Sequence, residues 1–146
     1  MIDFKSFLEI KDLIDTNKIN AIELVNDVTN KLETVGRSLN AVRFVFKEFA
    51  IERAKKLLEK QEQEYPLNCI PLAHKELFQR LQKNGIGWPN EGGSRSREGL
   101  KSDKTAKVIS LLDKAGSIDC GRLVSVEYAF GVTGHNNYAG TPKNPW

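Results

Sequence analysis

The chain has 146 residues, of which 40% are hydrophobic and 28% are charged, a composition typical of one globular domain rather than of a disordered segment. The 22 basic and 19 acidic residues give a net charge of +3 and are spread along the sequence, so no basic stripe predicts binding to nucleic acid. No apolar run approaches the roughly 20 residues that span a bilayer. The first residues also lack the charged-then-apolar layout of a secretory signal.

The two cysteines, Cys69 and Cys120, are far apart in the sequence, and neither has metal-ligand spacing around it. We interpret them as reduced, buried thiols and expect a cytoplasmic protein. Because no metal motif or phosphate-binding loop occurs either, no cofactor is predicted.

The first forty residues predict helices. In the first helix, Phe4, Phe7, Leu8 and Ile14 recur on one side. Asn20 is the expected N-cap of the second helix, and Glu23 has the spacing of a capping box. Gly36 suits the end of that helix. The apolar stripe between them consists of Ala21, Leu24, Val25, Val28 and Leu32.

The middle of the chain predicts a strand, a helix and a second strand. Residues 42–46 are β-branched and aromatic, as in strands. From Lys47 to about Glu64 the apolar spacing is helical, and the lysines and glutamates form a solvated face. Residues 69–75 then form a short apolar stretch that we interpret as a strand with Lys75 at its end.

The last third begins with a glycine-rich loop over residues 84–99. Asp103 is then expected to cap a further helix that stops at Gly116. Residues 118–126 predict a buried strand, in which Asp119 would be a costly unpaired charge. Helices and strands therefore alternate, which favours an α/β layered arrangement.

Seven short motifs occur in an order and at a spacing that resemble those of one enzyme family. In chain order they cover residues 20–25, 39–41, 70–76, 92–94, 103–106, 127–131 and 140–146. The series resembles the N-terminal part of the amidase-signature hydrolases and extends over essentially the whole chain. The motif at 70–76 reads Ile-Pro-Leu-Ala-His-Lys-Glu, and that at 140–146 ends in Asn-Pro-Trp.

This resemblance implies an α/β fold in which helices pack on a mixed β-sheet, of which the chain would hold an incomplete N-terminal portion. The partial domain would cover residues 1–146, with a mainly helical segment at 1–65 and the start of the α/β core at 66–146. The implied reaction is hydrolysis of carboxamide C–N bonds. If a C-terminal part completes the site, the implied substrate is a small amide, and the composition predicts neither nucleic acid nor a membrane as partner.

The family uses a nucleophilic serine, a second serine in a cis peptide and a lysine, and Lys75 stands at the lysine position. A neutral amine there would accept a proton through the bridging serine. Both serines come from a loop that follows the Asn-Pro-Trp motif in the family, and this sequence ends at Trp146, just before it. We therefore expect the chain to hold only the lysine and to be inactive by itself.

Several residues depart from the family pattern. His74 replaces an aliphatic residue, Glu76 replaces the aspartate that commonly follows the lysine, and Arg122 stands where lysine is usual. Ser94 and Ser96 precede the predicted helix at 103, so we do not expect either to be a nucleophile.

Three functional hypotheses remain open from the sequence. The chain is part of an amidase whose remainder is missing or is supplied by a second polypeptide, which would bring the rest of the sheet and the serine loop. Alternatively, it is a non-catalytic truncated remnant that binds another protein through the same surface. In the third hypothesis it is an independent helical binding module.

Overall fold

The computed structural model describes residues 5–60 and 65–146, and within them the chain forms four α-helices and a mixed sheet of three strands. The helices are α1 (Phe7–Asp15), α2 (Ala21–Lys31), α3 (Lys47–Leu58) and α4 (Lys107–Lys114), and the strands are β1 (Val42–Val45), β2 (Pro71–Lys75) and β3 (Ile118–Leu123). None of the described helices is long and apolar enough to cross a membrane.

The first two helices begin at side-chain caps. The Ser6 side chain accepts a bond from Glu9 N while Glu9 returns one to Ser6 N, which makes a capping box. Asn20 Oδ1 accepts from the backbone N–H groups of Ile22 and Glu23 at 2.9 and 3.2 Å, so the predicted cap of α2 is confirmed. Phe4 lies outside the described residues.

A π-helical turn at Leu32–Gly36 follows α2 and leads the chain into β1. A Cβ at Gly36 would lie 2.5 Å from Val42 Cγ2, which is too close for any other side chain. The glycine therefore lets the end of this helix approach the first residue of β1.

The sheet has the order β1–β3–β2, with β1 antiparallel to β3 and β2 parallel to it. In this register Leu123 lies opposite both Val42 and Lys75. The central strand therefore positions the end of β2, where Lys75 lies. Strand β1 precedes residue 65 in the chain, and β2 and β3 follow it.

The main core lies between the sheet and the inner faces of α2 and α3. Its members are Ile14, Ala21, Leu24, Val25, Ala50, Ala54, Leu57, Cys69, Ile70, Ile118 and Cys120. Both cysteines are free and fully buried, as the sequence predicts.

Two predicted helix boundaries are wrong. The third helix ends at Leu58, before position 64, and residues 61–64 lie outside the description. The fourth helix begins at Lys107 with Ala106 at the N-cap position, so Asp103 does not cap it. The physical reason is that Thr105 Oγ1 bonds to both backbone groups of Leu81, which ties this segment to a neighbouring loop.

Asp119 is not the unpaired charge that the sequence predicts. It is buried in β3, where Arg80 Nε donates to it at 2.8 Å and Arg122 Nη1 donates at 2.8 and 3.0 Å. Arg80 also forms two bonds with the carboxylate of Asp113 on α4. We call these four residues the ion cluster. The buried charges are therefore paired, which reduces the cost of taking them out of water.

The indole of Trp88 packs against this ion cluster. It stacks on Phe46 with ring centroids 3.6 Å apart, and the guanidinium groups of Arg80 and Arg122 lie 5.0 and 4.8 Å from its centroid. These distances allow cation–π attraction. Trp88 therefore anchors the glycine-rich loop to the sheet.

Candidate active site

Lys75 is the last residue of β2 and is partly buried. Within the described residues its ammonium forms no hydrogen bond and no ion pair. The amine at the end of β2 is therefore uncommitted, that is, without a hydrogen-bond or ion-pair partner among the described residues.

Glu76 joins the end of β2 to the glycine-rich loop. Its side chain is buried, with 1% of the residue exposed, and Oε1 accepts a bond from the backbone N–H of Glu91 at 3.2 Å. Burial raises the pKa of Glu76, and the hydrogen bond from Glu91 only partly opposes it. Its Oε2 has no hydrogen-bond partner among the described residues.

Asn136 holds the same loop from the other side. Its Nδ2 donates to the carbonyl oxygens of Gly93 and Ser125, both at 2.7 Å, and its Oδ1 accepts from the N–H groups of Tyr138 and Ala139. Four hydrogen bonds satisfy this buried amide, and they join the loop, the segment after β3 and the C-terminal tail. We call this arrangement the Asn136 clamp.

Gly93 fits between these segments only because it has no side chain. Its φ is +67°, and a Cβ would lie 2.4 Å from the carbonyl oxygen of Ser125. Both the backbone conformation and the space therefore require glycine.

The two loop serines bond to the turn at Glu127–Ala129. Ser94 Oγ donates to Glu127 Oε1 at 2.6 Å and lies 2.8 Å from Ser96 Oγ, which in turn lies 2.9 Å from the hydroxyl of Tyr128. The hydrogen bonds with Ser94 and Ser96 lower the pKa of Tyr128. In the described residues no lysine or histidine is hydrogen-bonded to either serine, and the chain of hydroxyls links the loop to the turn.

Glu91 ties the loop to β1 and to the tail. Arg43 Nη2 and the hydroxyl of Tyr138 donate to its Oε2 at 2.8 and 3.0 Å, and Gly99 N donates to Oε1 at 3.0 Å. Burial works against ionisation of this carboxyl, but the hydrogen bonds from Arg43, Gly99 and Tyr138 outweigh it and lower the pKa of Glu91.

A cavity of about 600 Å³ opens beside these segments. Its lining residues are Gly93, Arg95, Glu98, Glu127, His135, Asn136, Asn137 and Tyr138. Lys75 does not line the cavity. Lys75 is linked to the cavity through Glu76, the next residue in the chain, whose side chain accepts a hydrogen bond from the loop at Glu91.

The histidines lie in different places. His74 packs edge-on against Phe78, with ring centroids 6.1 Å apart, and burial lowers its pKa. His135 lines the cavity, and its Nδ1 lies 3.1 Å from Thr141 Oγ1. No group of three His, Cys, Asp or Glu residues in the described part of the chain could hold a metal ion.

The structure therefore brings Glu76, the 92–94 motif, Glu127 and Asn136 into one region, and Lys75 lies at its border. Sequence reasoning missed Asn136 because a polar residue in a turn-rich tail usually faces solvent. The only local signal is that Asn136 lies between the glycine-containing motifs at 127–131 and 140–146.

Comparison with known proteins supplies a family for this fold. A family model described as Amidase matches residues 23–146. A glutamyl-tRNA(Gln) amidotransferase subunit of Cupriavidus metallidurans is 31% identical over 143 residues, which cover 97% of this chain and 28% of that protein. The chain thus spans a little over a quarter of the length of the curated relatives that it matches.

Solved structures agree with the fold. A crystal structure of an amidase superposes with a TM-score of 0.79 at 25% identity and covers 95% of this chain and 31% of its own. An amidase family protein from Bacillus anthracis superposes with a TM-score of 0.82 at 21% identity and covers 99% and 30%. The expected α/β fold, with helices packed on a mixed sheet and only part of the domain present, is therefore confirmed. With the family match over most of its length, the chain belongs to the amidase family.

Proposed function

We propose that this chain supplies the lysine of a serine–serine–lysine amidase centre, and that Lys75 accepts the proton that leaves the nucleophilic serine. The single observation that carries the proposal is an uncommitted amine at the end of β2, in the motif where the family resemblance expects the lysine. Both serines would come from a polypeptide segment beyond those in this chain.

The surroundings of Lys75 support this role. A carboxylate bonded to the amine would favour the ammonium form and prevent proton acceptance. The neighbouring carboxyl of Glu76 accepts its bond from the backbone of Glu91 instead. Lys75 is also partly buried.

The proposed reaction is hydrolysis of a carboxamide C–N bond. The nucleophilic serine attacks the carbonyl carbon while its proton passes through the bridging serine to the Lys75 amine. The proton then passes to the leaving nitrogen as the C–N bond breaks, and water releases the acyl group. A small amide is the proposed substrate, by resemblance to the family, and the isolated chain is expected to be inactive.

Complementation tests this proposal. The chain would be co-expressed with the part of the Cupriavidus metallidurans relative that lies beyond the aligned region, and amide hydrolysis would be followed by ammonia release. We expect turnover that Lys75→Ala abolishes and that the matched variant Lys83→Ala, at an exposed loop lysine, leaves unchanged. Turnover that survives Lys75→Ala would refute the assigned role, and turnover by the isolated chain would refute the need for a second segment.

A second candidate function is that of a non-catalytic remnant that binds another protein. It is favoured by large apolar side chains in solvent at Phe130, Val132 and Trp146. A complex that forms with the complementing segment but shows no Lys75-dependent turnover would support this candidate over the enzyme.

A further inference from the structure

Two buried glutamates, Glu76 and Glu91, interact with one guanidinium. Glu91 Oε2 pairs with Arg43 Nη2 at 2.8 Å, and the charges of Glu91 and Arg43 both act on the carboxyl of Glu76. Glu76 is 1% exposed and Glu91 is 6% exposed. Among the described residues, Arg43 is the one cation that forms an ion pair with either carboxyl. A single positive charge therefore serves two carboxyl groups.

The hydrogen bonds favour ionisation of Glu91 over that of Glu76. Burial opposes ionisation of Glu91, but the bonds from Arg43, Gly99 and Tyr138 outweigh it and lower the pKa of this carboxyl. Burial raises the pKa of Glu76, and the neighbouring charge of Glu91 adds to that rise. The ion pair with Arg43 therefore belongs to Glu91, and Glu76 keeps its proton to a higher pH than an ordinary glutamate.

The second carboxyl oxygen of Glu76 is the atom at which ionisation is costly. Oε1 accepts a bond from Glu91 N at 3.2 Å, whereas Oε2 is buried and has no partner among the described residues. A carboxylate accepts hydrogen bonds at both of its oxygens. Ionised Glu76 would therefore leave part of its charge buried without a donor, which costs more than an unpartnered neutral group.

The loop that Glu76 holds also forms part of the cavity wall. Gly93 and Tyr138 both line the cavity, and the hydroxyl of Tyr138 donates to Glu91 Oε2 at 3.0 Å. Glu76 itself directly follows Lys75 at the end of β2. A movement of residues 91–93 away from Glu76 would therefore change the cavity wall and the surroundings of the residue next to Lys75.

We propose that Glu76 and Glu91 form a carboxyl pair that holds one proton and one negative charge, and that loss of the proton from Glu76 opens the loop at 91–93. In the closed form, Arg43 neutralises Glu91 and the neutral carboxyl of Glu76 accepts the loop N–H. In the open form the proton has passed to solvent, and water donates to the carboxylate of Glu76. This conformational switch goes beyond the proposed function and requires no turnover.

Amide hydrogen exchange on the full chain tests the switch. The amide of Glu91 reports opening of the loop, because it is bonded to Glu76 Oε1. The amide of Ile118 is bonded to the carbonyl of Ile70 at 2.9 Å and reports global unfolding. Each rate in the wild type is divided by the rate in Glu76→Gln at the same pH, so that base catalysis of exchange cancels.

We expect the exchange ratio for Glu91 to depend on pH. It should rise by up to about tenfold per pH unit between the ordinary glutamate pKa and the higher pKa of the closed form, and then level off. The amide of Glu91 should also open more readily than that of Ile118 at every pH. The matched control is Glu48→Gln, at an exposed glutamate of α3, which should keep the pH dependence of the wild type.

Carbon-13 NMR of the Glu76 carboxyl tests the pairing itself. Glu91→Gln removes the neighbouring negative charge and leaves Arg43 to Glu76, so the titration midpoint of Glu76 should fall relative to the wild type. If burial alone set the midpoint, the substitution would leave it where it is.

Three results overturn the switch. The first is an exchange ratio for Glu91 that does not change with pH, and the second is equal opening of the Glu91 and Ile118 amides, which would mean global unfolding only. The third is an unchanged midpoint of Glu76 in Glu91→Gln. Failure of the proposed function is distinguishable, since turnover that survives Lys75→Ala refutes the reaction and leaves these measurements unaffected.

Discussion

Replacement of Asp119 by asparagine tests the ion cluster most directly. The carboxylate is 1% exposed and accepts bonds from Arg80 and from Arg122, which is fully buried. Arg122 Nε and Nη2 have no hydrogen-bond partner among the described residues, so Asp119 is the ion-pair partner that the structure assigns to this guanidinium. Breaking a buried pair leaves an uncompensated charge and costs about 3–5 kcal/mol. We therefore expect Asp119→Asn to lower the free energy of unfolding by about that amount.

The matched control is Asp113→Asn, on α4. That side chain is 31% exposed, and its loss leaves Arg80 paired with Asp119. We expect it to cost about 1 kcal/mol or less, as partly solvated pairs do. Urea unfolding followed by circular dichroism measures both values. Equal losses in the two variants, or a loss below about 1 kcal/mol for Asp119→Asn, would show that the cluster does not stabilise Arg122 as argued.

Three further predictions concern buried groups. Because burial raises the pKa of Glu76, ionisation of this side chain lowers the free energy of unfolding as the pH rises from the ordinary glutamate pKa to the higher pKa of the folded state. In thermal melts from pH 4 to 8, the melting temperature of Glu76→Gln should therefore increase relative to that of the wild type as the pH rises. A constant difference between the two melting temperatures would contradict this. Asn136→Asp replaces two donors by a charge facing carbonyl groups, so it should cost about 1–3 kcal/mol in urea unfolding, whereas Asn137→Asp, at an exposed neighbour, should be nearly neutral; similar losses would argue against the Asn136 clamp. Burial raises the pKa of Cys69 to about 11 and that of Cys120 to about 12, so both thiols should react with a thiol reagent at pH 8 only after unfolding, and rapid reaction in the native state would refute their inertness.

The elements with strong local signals could be predicted from the sequence. Asn20 caps α2 because its side chain bonds to N–H groups only two and three residues away. The strand that ends at Lys75 is equally predictable, since a short apolar run bounded by proline and charge needs no distant contact to be identified. The family follows from the order of its motifs, which is a property of the sequence alone.

Long-range contacts could not be predicted in this way. Asp103 has a good capping side chain, but the bonds between Thr105 and Leu81 hold its segment away from helix. Tertiary packing there outweighs a local preference worth about 1 kcal/mol. In the sequence Glu76 stands out only as a departure from aspartate, whereas its contact with Glu91 spans fifteen positions of the chain.

The sequence by itself determined the α/β class and the family, because both depend on the identity and spacing of neighbouring residues. Only the tertiary structure decided that Asp119 is paired, that Asn136 clamps three segments and that Phe130 is left in solvent. The physical reason is that the free energy of a buried charge or amide depends on which distant groups the fold brings within hydrogen-bond distance.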